Sequence, residues 1–189
     1  MLRPETKPIS VSLVAWFCIA FFLGLTGRFE NASPAVVGLT VWGLTALGLL
    51  IVWKVPQARD WATNVDLRWI IALHLVRFVG IYFVILCRSG ELSCAFAKPA
   101  GTGDVLTAAA ACLLLLTRAV QRGWRKTILA WNCFGLIDIV SVVFSAFRVG
   151  LTDWVGMAPL RALPLMLLPT FVVPLIISSH VIIFVRTRR

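Results

Sequence analysis

TILAWNCFGLIDIVSVVFSAF, Thr127–Phe147, lies between the basic pair Arg125 and Lys126 and the single Arg148. As a helix it extends for about 30 Å, the thickness of a bilayer's hydrocarbon core. Its only charged side chain is Asp138. A soluble helix of this length would carry a charged face, so this one is predicted to cross a membrane. Five more apolar blocks follow the same rule, at Ile9–Thr26, Pro34–Trp53, Trp69–Leu86, Val105–Val120 and Leu163–Val185. Of the 189 residues 60% are hydrophobic and 14% charged, against about 45 to 50% and about 25% in a soluble domain. The expected fold is all-α: six transmembrane helices in one compact membrane domain over residues 1–189, with little chain left for a water-soluble catalytic module.

The connections carry the charge. Arg28 and Glu30 lie in the first; Lys54, Arg59, Asp60, Asp66 and Arg68 in the second; Arg122, Arg125 and Lys126 before the fifth span. Arg118, inside the fourth predicted span, is expected to snorkel to the interface, and Trp53 and Trp69 to mark a bilayer surface. A net charge of +10 in a soluble protein would suggest nucleic acid as a partner, but basic residues at the ends of apolar blocks are topology signals. The expected partner is the lipid bilayer, with other membrane subunits or a second copy left open. With six spans both termini share one side. Arg3, Lys7, Lys54, Arg59, Arg68, Arg118, Arg122, Arg125, Lys126, Arg186, Arg188 and Arg189 fall on that side, against Arg28, Arg88, Lys98, Arg148 and Arg161 on the other. The positive-inside rule makes the first side cytoplasmic, in a bacterial inner membrane. The basic residues before the first span resemble the start of a signal peptide, but the block is expected to be retained as a span.

Ionisable groups inside the spans are costly and mark candidate sites. They are His74, Arg77, Asp138 and His180. A helical rise of about 1.5 Å per residue puts His74, Asn132 and His180 at one level, roughly 8 to 9 Å from the cytoplasmic boundary. Arg77 and Asp138 lie deeper and are expected to pair, so that loss of Asp138 alone leaves an uncompensated cation. Two histidines on two spans at one depth suit a metal or the axial positions of a haem b iron, with Ala72, Gly80 and Gly135 making room; interhelical hydrogen bonding is the plainer reading. Asp138, Ser141 and Ser145 form a polar stripe that implies a cavity-facing surface. Pro164, Pro169 and Pro174 predict a kinked sixth helix, and the carbonyls of Leu165 and Thr170, losing their helical donors, are expected to line a cavity or meet polar side chains.

Gly101-Thr102-Gly103-Asp104 resembles the GxGD motif of intramembrane aspartyl peptidases such as presenilins and prepilin peptidases. The resemblance covers these four residues and implies a second catalytic aspartate. In those families it precedes the motif, whereas Asp138 follows it here. On the predicted spans Asp104 sits at the outer rim, capping the fourth helix after a glycine turn, and Asp138 near the middle. Cys87 and Cys94 share an outer connection and are candidates for a disulfide; Cys18, Cys112 and Cys133 lie in apolar spans. Phosphate-binding glycine loops, the His-Glu-x-x-His zinc pair, nucleophile elbows and c-type haem motifs do not occur.

Three functions follow: a small redox or cofactor-carrying membrane protein using His74 and His180; a proton-coupled or small-solute carrier using Arg77 and Asp138; and an accessory subunit whose polar groups only hold helices together.

Overall fold

The structure, a computed structural model, describes residues 7–188. Arg3 and Arg189, counted in the charge asymmetry, and the chain termini lie outside the described residues. All regular structure among them is helical. The helices are α1 (Lys7–Leu25), α2 (Pro34–Lys54), α3 (Pro56–Asn64), α4 (Leu67–Arg88), α5 (Cys94–Leu116), α6 (Arg125–Thr152) and α7 (Leu168–Arg188). Among the described residues five, α2 and α4 to α7, are long and apolar enough to cross a membrane, while the apolar part of α1, Ile9–Leu25, is shorter.

Local chemistry sets the boundaries. Ser33 caps α2, its hydroxyl accepting from Val36 N, and Pro34 occupies the first turn, where a missing amide is harmless. Asp66 caps α4 through Arg68 N at 2.9 Å, and the guanidinium of Arg68 holds the Asp66 carboxyl below the usual carboxylate range. The left-handed conformations of Gly90 (φ 77°) and Gly123 (φ 67°) turn the chain after α4 and before α6.

Several boundaries differ from expectation. The connection after α2 contains a helix of its own, α3. The fourth span starts at Cys94 rather than Val105 and ends at Leu116, so Arg118 lies in the following turn, with φ 54°, and does not have to snorkel from within a helix. Lys98, Pro99, Gly101 and Gly103 read as loop residues, yet Pro99 sits in the second turn of α5 and the glycines occupy close contacts. α6 runs past Phe147 to Thr152. Pro164 precedes α7, which opens with a π-turn at Leu168–Val172 containing Pro169.

The chain divides into two compact units. The first comprises Met1–Val65 and Pro159–Ser178. In it the Trp16 indole donates to Thr170 O at 3.0 Å, and its ring packs edge-on against Phe171 at 4.9 Å. Leu165 O accepts from Leu168 N at 2.9 Å. Of the two carbonyls that lose helical donors to prolines, that of Thr170 thus meets a polar side chain and that of Leu165 is bonded within the turn.

The second unit comprises Asp66–Ala158 and Ser179–Arg189. Its core is α4 against α5 against α6. Gly80 and Gly101 bring α4 and α5 into backbone contact: a Cβ on Gly80 would lie 2.5 Å from Gly101 O. Such approach is the usual way helices associate where lipid removes the hydrophobic drive. A Cys87–Cys94 disulfide, Cα–Cα 4.9 Å, ties the end of α4 to the start of α5. Cys18 is exposed, and Cys112 and Cys133 are half-buried free thiols.

Candidate functional site

All the site residues lie in the second unit. Midway along α4 the helix tightens to a 3-10 turn over His74–Phe78. At three residues per turn, His74 and Arg77 stack on one face. Both are buried, with 0% and 2% of their surface exposed.

Arg77 is the hub. Its Nε donates to Asp104 Oδ1 on α5 at 2.7 Å, its Nη1 to the Gly135 carbonyl on α6 at 3.0 Å, and its Nη2 to Asp138 Oδ2. The pairing expected from sequence was Arg77 with Asp138 alone, with Asp104 capping a helix at the outer rim. Instead Asp104 is buried inside α5 and is the second carboxylate of the cluster. Gly103 serves Asp138, since a Cβ there would run into the Asp138 carboxylate. Gly101 and Gly103 are thus contact residues of a helix, one against α4 and one against α6, and do not make a turn. Two carboxylates around one guanidinium leave one excess negative charge when all three are ionised. The side chain of Asp138 keeps 16% of its surface exposed, that of Asp104 only 6%. An aspartyl peptidase needs two carboxylates sharing a proton directly; here a cation bonds to both.

The second cluster is built on the histidines, whose ring centres are 4.3 Å apart. His74 Nε2 meets the Ser179 hydroxyl at 3.0 Å, and His180 Nδ1 meets Asn132 Oδ1 at 2.9 Å. Asn132 Nδ2 donates to the His180 carbonyl at 3.0 Å, which fixes which end of the amide faces the ring. Trp131 packs edge-on against His74 at 4.9 Å, and its indole donates to Thr107 O at 3.1 Å. Gly135 adjoins both clusters: its carbonyl binds Arg77, and a Cβ there would lie 2.7 Å from His180 Cε1. His74 Nδ1 and His180 Nε2 are buried and have no hydrogen-bond partner.

The helices thus bring His74 beside His180, His180 beside Asn132, and Arg77 beside Asp138. The site does not fit a haem iron between the rings. Two imidazoles on opposite sides of one metal, each bonded at about 2 Å, hold their ring centres about 6 Å apart, against the observed 4.3 Å. Among the described residues no three His, Cys, Asp or Glu side chains form a metal-binding group. Ser141, expected on the site's polar stripe, is exposed and donates to Ile137 O one turn back. A hydroxyl can satisfy itself on its own helix and need not face a cavity.

From sequence Asp104 falls at the outer rim instead of in the cluster, and Ser179 is not singled out. Asp104 was hidden by the glycines and proline that mimic a loop. Helical spacing, three residues ahead of Thr107 and four ahead of Ala108, both buried, was the available signal.

Fold and site together define an all-helical protein with helices of membrane length and a buried charged cluster in one of its two units. The chain belongs to the family described as a domain of unknown function, DUF8737, whose model matches residues 33–188. The matched stretch holds every residue of both clusters and leaves out α1. No curated protein and no solved structure matches the chain.

Proposed function

We propose that the protein is a proton-coupled carrier of a small solute in a bacterial inner membrane. In this reading the chain is one membrane domain crossing the bilayer six times, α1 included, with both termini cytoplasmic. The sixth crossing has its irregular segment at the π-turn around Pro169. The observation that carries the reading is Arg77 held between Asp104 and Asp138. Charge inside a membrane is unfavourable unless balanced, so a cluster with one carboxylate in excess gains by taking up a proton. Asp138, the more exposed carboxylate, is the exchanging group. Arg77 bonds to both carboxylates and is left with a one-to-one balance of charge each time Asp138 is protonated.

The competing reading is a static clamp in an accessory subunit, and the engagement of all three Arg77 nitrogens favours it. Proteoliposomes with an internal pH dye separate the two. An imposed pH gradient, with candidate solutes added in turn, should collapse faster with the wild type than with Asp138→Asn. Equal rates for the two proteins across the solutes would leave the clamp standing.

A further inference from the structure

The histidine cluster has a feature that neither proton exchange at the carboxylates nor helix packing uses. Asn132 holds His180 at two points, accepting at its ring and donating to its carbonyl. Because Oδ1 can only accept, the proton on His180 sits at Nδ1, and Nε2 is left as a bare lone pair. That nitrogen is buried and unpartnered, as is His74 Nδ1 on a ring 4.3 Å away. Leaving a buried polar atom unmet is unfavourable, and here two such atoms lie on adjacent rings. An outer partner that fixes a histidine's tautomer and turns its other nitrogen inward is the arrangement that supports metal-ligating imidazoles.

We propose that His180 Nε2 and His74 Nδ1 are the protein ligands of a buried site for a borderline d-block cation, with Asn132 as its positioning residue. The geometry suits neighbouring ligand positions rather than opposite ones. With metal–nitrogen bonds of about 2 Å, ring centres 4.3 Å apart subtend roughly 90° at the ion. Neutral imidazole is the common ligand of zinc, copper, cobalt and nickel ions, and two protein ligands leave positions open for water or a small solute. The charge also fits. Arg77, one 3-10 turn from His74, belongs to a cluster with one negative charge in excess, which offsets part of the charge of an incoming cation. Gly135 keeps side-chain atoms away from the free nitrogen: a Cβ there would lie 3.0 Å from Nε2.

The test uses the full chain purified in detergent and stripped of metal, with Zn²⁺ alone as one probe and Co²⁺ alone as the other. Equilibrium dialysis with elemental analysis should give one Zn²⁺ per chain, and Co²⁺ should develop a visible absorption band. His74→Ala and His180→Ala should each abolish both signals. Asn132→Leu should weaken Zn²⁺ binding about 10- to 100-fold, whereas Asn132→Asp, which keeps a stronger acceptor for Nδ1–H, should bind at least as tightly as the wild type. Substoichiometric binding by the wild type overturns the proposal, as does binding unchanged in both histidine variants. If the histidine variants do not fold, equal affinities of the two Asn132 variants overturn it. Binding is read without transport or a pH gradient and with variants outside the carboxylate cluster, so its failure is distinguishable from a failure of proton exchange at Asp138.

Discussion

In α2 the hydroxyls of Thr40 and Thr45 donate to the carbonyls of Val36 and Val41, each four residues back on the same helix. In α4, α5 and α6 the guanidinium and indole groups find partners across helices: Arg77 on Asp104, Asp138 and Gly135, and Trp131 on Thr107. The difference lies in the chemistry of the groups. A hydroxyl has one proton to place, and its own helix offers a carbonyl within reach. A guanidinium or carboxylate has several bonds to make and a charge to balance, which no single helix supplies. The first kind of polar residue therefore says little about tertiary structure, while the second dictates which helices must meet.

The largest test of that contrast is Arg77→Ala. It leaves the buried Asp104 and the half-buried Asp138 carboxylates beside each other without a cation and should cost about 3 to 5 kcal/mol, read as thermal unfolding in detergent. Adding Asp138→Ala to it should recover part of the loss, because only one carboxylate then lacks its cation. Asp138→Ala alone should be milder than either, since Arg77 keeps Asp104. This reverses the order expected of an isolated Arg77–Asp138 pair, and an Asp138 single variant worse than the double would restore the simpler pair.

Next in size is the covalent tie between α4 and α5. Replacing Cys87 and Cys94 together by Ser opens a short loop and should cost about 2 to 3 kcal/mol in the same assay. Alkylation of the denatured, unreduced wild type should leave both cysteines unlabelled.

Gly80→Ala probes the close approach that lets Arg77 reach α5. With Gly101 O at 2.5 Å from the new Cβ, the helices must part, at a cost of about 1 to 3 kcal/mol. A neutral result would mean that the backbones are not in contact.

The smallest effect belongs to the first unit. Thr45→Val removes a hydroxyl bonded only to its own helix and should change stability by less than about 1 kcal/mol. A larger loss would show that α2 also depends on polar bonding across helices.

Composition and the spacing of apolar blocks determined the class of the protein, because lipid admits only backbones that satisfy their own hydrogen bonds and so forces long apolar helices. Depth along those helices was also legible: counting residues from the basic ends placed His74, Asn132 and His180 together and Arg77 near Asp138. Tertiary structure alone decided the rest. Lys98 to Asp104 looks like a loop by local propensity, since proline, glycine and charge all disfavour helix. It is helix because Gly101 meets Gly80, Gly103 makes room for Asp138, and Asp104 is neutralised by Arg77. Each of those reasons lies on another helix, more than twenty residues away in sequence, where no local pattern can register it.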